Sequence, residues 1–178
     1  MNNNLLILGA GGHGRVVKET AEAMNCFDKI DFLDDHSDSA IGCCSDYSKY
    51  KNEYKYALVA FGNNELRVKW MDELSDFGYQ FPILIHPTAY VSSSAIIKEG
   101  TIILPRAVIN TNVVIEKGCI ISIGALVDHD ARLSDGVHLN TGGIVKAGCI
   151  VNSLRKIDAG KVYPSEYELN EYSFEVGV

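Results

Sequence analysis

Long apolar runs and an excess of basic residues are both missing from this sequence of 178 residues. No apolar run approaches the ~18 residues that a membrane-spanning helix needs, and the first residues lack the basic start and cleavage site of a secretion signal. Lysine and arginine number 16 against 23 aspartate and glutamate, which gives a formal net charge of -7. Proteins that bind the phosphate backbone of nucleic acids need a basic face. The sequence therefore favours neither a membrane-inserted protein nor one that binds nucleic acid.

Cysteine pairs with metal-binding spacing are also missing. The five cysteines are an odd number, and none of them stands in a CxxC or CxxH motif. Cys43 and Cys44 are adjacent in a polar loop, and the other three are isolated. We therefore expect reduced thiols, no disulfide framework and a cytoplasmic location.

A repeat of six residues begins at Ile85 and is the strongest pattern in the chain. Its first position is Ile, Val or Leu in all thirteen units, and its fifth position is small or β-branched in eleven of them before it fails at Arg155 and Lys161. A period of six fits no helix, and it is three times the two-residue alternation of a strand. It predicts a β-solenoid with coils stacked about 4.8 Å apart, in which aliphatic residues fill the interior and small ones let the chain turn.

The residues before the repeat alternate between strand and helix patterns. The stretch "NLLILGAGGHGRVVKETAEAM" predicts a buried strand, a glycine turn and a helix, and "KIDFLDD" and "YALVAFG" predict two further strands. Gly9, Gly11 and Gly14 satisfy the GxGxxG motif, and Asp34 and Asp35 end the second strand. In this motif glycines let phosphates approach a helix N-terminus, and an acid binds the ribose. Only about half of a Rossmann sheet is predicted, so a single nucleotide fits better than a dinucleotide.

The order of these motifs resembles that of a known enzyme family. The stretches "GAGGHGRVV", "FLDD", "AFGNNELR" and "LIHPTA", followed by the hexads, are similar to the hexapeptide-repeat sugar-nucleotide acetyltransferases of bacterial glycan synthesis. These include UDP-4-amino-sugar N-acetyltransferases and sialic-acid O-acetyltransferase-like proteins. The resemblance implies a Rossmann-like α/β half domain over residues 1–82, a left-handed parallel β-helix with three hexads to a coil over residues 83–162, and a tail over residues 163–178. It also implies a cytoplasmic homotrimer that uses acetyl-CoA as co-substrate and no metal.

Two histidines stand in the densest group of titratable residues, "LVDHDARLSDGVH" at 126–138. His129 lies between two aspartates, and His138 follows nine residues later. In a coil of eighteen residues this spacing is half a turn, so the two rings should lie on different flanks, on the order of 15 Å apart. They can share a site only between neighbouring subunits of a trimer. A metal site and a merely solvated corner are the alternatives.

The resemblance also assigns roles to individual residues. His129 corresponds to the general base that removes a proton from the acceptor amine or hydroxyl, and Asp130, with Asp128 as the alternative, would orient its ring. His138 matches a position that contacts acetyl-CoA, and Ala147, one coil above the base, should line the same groove. A nucleotide-linked sugar, expected to be a UDP-sugar, would be held by six residues: Gly12, His13, Gly14, Asp34, Asp35 and Gly62.

For some residues, and for the function itself, the sequence allows two interpretations. Asn63, Asn64 and Arg67 fit either the nucleotide site or the cap and surface of the following helix. Ser122 stands near the acceptor where several family members have Asn, so both N- and O-acetylation are possible. The hexads stop near residue 162, so a non-catalytic sugar-nucleotide-binding module with a shortened or lost CoA site is the alternative function. A nicotinamide-binding protein would rest on GxGxxG alone, and the half-sized sheet disfavours it.

Overall fold

The computed structural model describes residues 3–164. Residues 165–178, which make up nearly all of the expected C-terminal tail, lie outside the described residues.

The N-terminal unit is a parallel sheet flanked by helices. Its elements in chain order are β1 (Leu5–Leu8), α1 (Gly12–Met24), β2 (Ile30–Leu33), a 3-10 helix (Cys44–Asp46), α2 (Tyr47–Tyr50), β3 (Tyr56–Val59) and α3 (Asn64–Asp76). The three strands are all parallel and lie in the order β2-β1-β3. All four residues of the central strand β1 are buried, as expected for a parallel strand covered on both faces. The predicted half-sized Rossmann-like sheet is confirmed.

The second unit is a parallel β-solenoid built from two-residue strands. These are β4 (Leu84–Ile85), β5 (Tyr90–Val91), β6 (Ile96–Ile97), β7 (Ile102–Ile103), β8 (Val108–Ile109), β9 (Val114–Ile115), β10 (Ile120–Ile121), β11 (Leu126–Val127), β12 (Arg132–Leu133), β13 (His138–Leu139), β14 (Ile144–Val145), β15 (Ile150–Val151), β16 (Lys156–Ile157) and β17 (Val162–Tyr163). Ile120 pairs with Ile102 in the coil below and with His138 in the coil above. Each coil therefore takes three hexads, as the resemblance implied.

The solenoid has three flat faces, one for each of its sheets. The domain face consists of β4, β7, β10, β13 and β16, the open face of β5, β8, β11, β14 and β17, and the third face of β6, β9, β12 and β15. Leu84, Ile102 and Ile120 of the domain face share one apolar core with residues of β1 and α1. The N-terminal unit thus packs on the domain face.

The interior of the solenoid is filled by the first hexad positions, as predicted, and the small fifth positions are buried beside them. Every first-position residue from Ile103 to Ile157 is buried, and they form one continuous core with the small fifth-position residues. Arg155 and Lys161, where the fifth-position pattern fails, are exposed. The strands next to them still pair with the preceding coil, so the solenoid continues to the end of the described residues.

The corners of the solenoid are made at the fourth hexad position, one residue before the small fifth position that was expected to let the chain turn. From residue 100 to residue 160 this position has a positive φ in every hexad. Most of these residues are glycine, which adopts this conformation without steric cost. Asn112 and Asp130 are among the exceptions, with φ of 57° and 60°. Asn and Asp tolerate the left-handed region better than other side chains.

All five cysteines lie within the described residues and are free thiols there. Within residues 3–164, no helix combines the length and the apolar character needed to cross a membrane.

Candidate active site

His129 and Asp130 form a hydrogen-bonded pair at the corner between the open face and the third face. Nδ1 of His129 lies 2.8 Å from a carboxylate oxygen of Asp130, and each side chain is more than half exposed. The positive φ of Asp130 turns the chain directly after the histidine and brings the carboxylate back to the ring. In a flat strand the two side chains would point to opposite sides. The hydrogen bond raises the pKa of His129 above its ordinary value and lowers the pKa of Asp130.

The other aspartate of the motif, Asp128, makes hydrogen bonds to different partners. Asp128 accepts the backbone N–H of His129 at 2.8 Å and the side-chain amide of Asn110 at 2.9 Å, and both bonds lower its pKa. The geometry therefore favours Asp130 as the residue that orients the ring, with Asp128 fixing the backbone beneath it. With Nδ1–H donating to Asp130, Nε2 of His129 carries the lone pair that can accept a proton.

The glycine turn after β1 faces open space. A Cβ atom built on Gly11, Gly12 or Gly62 would meet no atom within 4 Å. A Cβ on Gly14 would instead overlap the carbonyl oxygen of Gly9, so this glycine lets α1 pack closely against β1. There is thus room for a ligand beside Gly12 and Gly62, whereas Gly14 has a packing role.

Asp34 and Asp35 hold the loops around this turn. The carboxylate of Asp34 accepts the backbone N–H of Ala10 at 2.7 Å and that of His36 at 2.9 Å, and these bonds lower its pKa. Asp35 accepts the backbone N–H of Cys44 at 2.9 Å. Asp34 therefore ties the end of β2 to the glycine turn, a role that the motif alone did not indicate. The expected contact of these two residues with a ribose stays a prediction.

His13, in the first turn of α1, meets His138 of the domain face. Their ring centroids are 6.4 Å apart, and Nε2 of His138 lies 3.2 Å from the hydroxyl oxygen of Ser122. Burial, with a further contribution from the charge of Arg67, lowers the pKa of each histidine to about 4. Nε2 of His13 and Nδ1 of His138 are buried and have no hydrogen-bond partner within residues 3–164. Buried polar atoms are normally paired, so these two neutral rings are suited to contact a polar ligand.

Within one chain, His129 does not belong to this group. It follows β11 of the open face, whereas His138 lies on the domain face, so the predicted placement on different flanks is confirmed. Ala147 lies one coil above His129, because the N–H of Gly148 donates to the carbonyl of His129 at 2.9 Å. The approach of His13 to His138 was not predicted, since no sequence pattern describes how the N-terminal unit docks on the solenoid.

Arg67 joins the two units, and its interpretation as a surface residue is wrong. The side chain is fully buried. Its guanidinium donates to four oxygens at 2.8 to 2.9 Å, namely the carbonyls of Phe61, Gly118 and Gly136 and the side chain of Asn64. Gly118 and Gly136 are corner residues of successive coils, so the bonds fix α3 against one edge of the solenoid.

The residues on either side of Arg67 have separate structural roles. Asn63 is the N-cap of α3 and accepts the backbone N–H of Leu66 at 2.9 Å, so its interpretation as a capping residue is confirmed. Asn64 donates to the carbonyl of Leu154, the next corner residue of the same edge, at 2.9 Å. Asn63 thus caps α3, and Asn64 anchors it to the solenoid.

Two comparisons place the chain among known proteins, one over its N-terminal unit and one over most of its length. The family of the PglD N-terminal domain matches residues 4–74. The acetyltransferase domain of PglB from Neisseria gonorrhoeae is 33% identical in sequence and has a TM-score of 0.87, covering 90% of this chain and 82% of that chain. The structure of the same domain in complex with acetyl coenzyme A gives 34% identity and a TM-score of 0.88.

Two further relatives share part of the sequence or the fold. UDP-N-acetylbacillosamine N-acetyltransferase of Bacillus subtilis is 37% identical over 110 residues, which are 57% of this chain and 51% of that protein. The chain thus spans about half the length of this curated relative. PerB from Caulobacter crescentus, in complex with CoA and GDP-perosamine, has a TM-score of 0.58 at 23% identity, covers 87% of this chain and 91% of that chain, and shares the fold.

The parallel β-solenoid with an α/β unit on one face, together with the similarity to the PglB domain, places the chain in the class of hexapeptide-repeat acetyltransferases. This chain belongs to the acetyltransferase family that the PglB domain represents. The family resemblance expected from the motifs is confirmed.

Proposed function

We propose that this protein transfers the acetyl group of acetyl-CoA to the amine of a nucleotide-linked amino sugar. The exposed His129–Asp130 pair, in a chain of the acetyltransferase family, is the observation that carries the proposal. The complex of the PglB domain with acetyl coenzyme A supports the donor. The Bacillus subtilis relative, a UDP-N-acetylbacillosamine N-acetyltransferase, supports a UDP-linked acceptor.

His129 acts as the general base in this proposal. The acceptor nitrogen attacks the thioester carbonyl carbon, so that a C–N bond forms and the C–S bond breaks. Nε2 of His129 accepts the proton of the nitrogen, and the carboxylate of Asp130 stabilises the imidazolium that results. The same proton then passes to the departing thiolate of CoA. Since acceptor and thioester react directly, no covalent acyl-enzyme forms.

The acceptor binds at the glycine turn. Its phosphates lie beside Gly12 and Gly62, at the start of α1, where the first N–H groups of a helix have no partner within the helix. His13 contacts the acceptor through Nε2, and Asp34 and Asp35 bind the ribose. His138 contacts acetyl-CoA, and Ala147 lines the groove for its pantetheine arm.

The apolar open face supports a trimer with shared sites. Tyr90, Leu126 and Val162 form part of an apolar column along this face and are 60%, 39% and 40% exposed. A contiguous exposed apolar surface is typical of a protein interface. The open face lies between the domain face, which carries His138, and the corner that carries His129. Three open faces packed around a three-fold axis would bury the column and bring His129 of one subunit to the domain face of the next.

Ligand-dependent melting temperatures test the substrate class. We expect a UDP-sugar and acetyl-CoA each to stabilise the protein, by about 2.7 kcal/mol at a concentration a hundred times Kd, because both bind only the folded state. NAD should have no effect, since the three-stranded sheet provides half of a dinucleotide site. A rise in melting temperature with NAD and none with any sugar nucleotide would contradict the proposal. A shift with UDP-sugars but none with acetyl-CoA would favour the binding module.

Replacing His13 with alanine tests the acceptor site separately. The variant should bind a UDP-sugar about tenfold more weakly, which corresponds to one lost hydrogen bond in a buried site. Its affinity for acetyl-CoA and its oligomeric state should not change. Calorimetry measures both affinities. The matched control is His86→Ala, which changes a histidine that directly follows β4. Unchanged affinity for the UDP-sugar would remove His13 from the site.

A further inference from the structure

A ladder of polar side chains runs along the solenoid corner that carries His129. It consists of residues at the second and fourth hexad positions of three successive coils: Ser92, Ser94, Asn110, Asn112, Asp128 and Asp130. Asn110 donates to Asp128 at 2.9 Å and Asn112 donates to Asp130 at 3.1 Å, in each case one coil higher. The two bonds are similar in geometry but lead to different aspartates, of which only Asp130 is bonded to the ring of His129.

Asn112 is held from below and bonded to Asp130 above. Its backbone N–H donates to the hydroxyl oxygen of Ser94 at 3.0 Å, and its φ of 57° makes it a corner residue. Its side-chain amide binds Oδ1 of Asp130, and the ring of His129 binds Oδ2. Each carboxylate oxygen therefore has its own partner, and the two bonds together define one rotamer of Asp130.

The hydrogen bond from Asn112 matters because the ring of His129 is the other side-chain partner of Asp130, and one partner leaves the carboxylate free to rotate. The side chain of Asp130 is 56% exposed, so solvent competes for both oxygens. A carboxylate with one partner can adopt several staggered rotamers, and only some of them face the imidazole. The hydrogen bonds with His129 and with Asn112 both favour the ionised form of Asp130 and lower its pKa.

We propose that Asn112 is a positioning residue for the general base, because it holds Asp130 and so keeps the proton of neutral His129 on Nδ1. Nε2 is then left free to accept a proton from the acceptor. The catalytic part of this inference rests on the proposed function. The orientation of the ring itself does not, since it follows from contacts within the chain.

The tautomer of His129 is the readout that separates positioning from general stability. Nitrogen-15 NMR of the neutral ring should show the Nδ1–H form in the wild type. Asn112→Gly removes the amide while easing the backbone at this corner, and Asn112→Asp keeps the shape but replaces the donor with an acceptor. Both variants should lose the preference for Nδ1–H. The matched control, Asn110→Ala, breaks the parallel bond to Asp128 and should keep it.

The same variants should also differ in kcat. The kcat of Asn112→Gly should fall about tenfold. This is the smaller end of the ~10–100-fold range for losing the hydrogen-bond partner that orients a metal-bound histidine, where the same positioning argument applies. The KM of this variant for acetyl-CoA should stay unchanged. In Asn110→Ala, both kcat and KM should stay unchanged. If Asn112→Gly matches Asn110→Ala in tautomer and in kcat, the inference is overturned. If the wild type transfers no acetyl group but its tautomer preference still depends on Asn112, the proposed function fails and the positioning of the ring stands.

Discussion

Replacing His129 with alanine should lower kcat for acetyl transfer by a factor of ~10²–10⁴, the usual effect of losing a general base. The acceptor amine would then lose its proton to water instead of to a positioned imidazole. The side chain is 55% exposed, so the variant should fold and melt like the wild type. The rate of free CoA release, measured with a thiol reagent at saturating UDP-amino sugar, provides the test.

The flanking aspartates are the controls for this result. Asp130→Ala should have a smaller effect on kcat, and Asp128→Ala a smaller one still, because only Asp130 is bonded to the ring. Loss of Asp130 removes the main cause of the raised pKa of His129. The acid limb of the pH profile, where the base becomes protonated, should therefore move to lower pH in Asp130→Ala. CoA release at an undiminished rate in His129→Ala would remove this histidine from the mechanism.

Replacing Arg67 with methionine should lower the free energy of unfolding by about 3 kcal/mol or more. The substitution leaves the buried carbonyls of Gly118 and Gly136 and the partly buried carbonyl of Phe61 without this donor. Each unsatisfied buried group costs ~1–3 kcal/mol. For a chain of 178 residues this corresponds to a melting temperature roughly 10 °C lower. Thermal unfolding at a fixed protein concentration measures the shift.

A second basic residue of the same helix is the matched control. Lys69 is exposed on α3, so Lys69→Met should change the melting temperature little. Arg67→Lys should recover part of the loss, because an ammonium group cannot reach all the carbonyls that the planar guanidinium reaches. A melting temperature of Arg67→Met within 2 °C of the wild type would correspond to a loss of less than roughly 1 kcal/mol in the free energy of unfolding. Arg67 would then not hold the two units together.

The solenoid could be predicted from the sequence because every coil places the same positions in the same environment. Ile103, Ile121 and Leu139 are one coil apart and stack in one column of the interior, so the requirement for an aliphatic side chain recurs along the chain. The glycine turn was predictable for a related reason. Its glycines meet local steric demands, such as the close approach of Gly14 to Gly9.

The docking of the two units could not be predicted in this way. It depends on single contacts such as that of Arg67 with Gly136, 69 residues further along the chain. Asn64, Arg67 and Met71 have the spacing of one helix face, and all three are buried. An arginine on such a face nevertheless favours a surface position, because buried arginines are rare. The meeting of His13 with His138 follows from this docking and was missed for the same reason.

Subunit mixing tests whether the active site is shared between neighbouring subunits. His129→Ala and His138→Ala should each impair every site of their own homotrimers. Unfolding and reassembling an equal mixture of the two chains yields trimers of which three quarters are mixed. Each mixed trimer has one junction where a chain that keeps His129 meets a chain that keeps His138, so activity should recover to about a quarter of the wild-type value. Two impaired variants whose mixture remains as inactive as its parents would contradict the shared site.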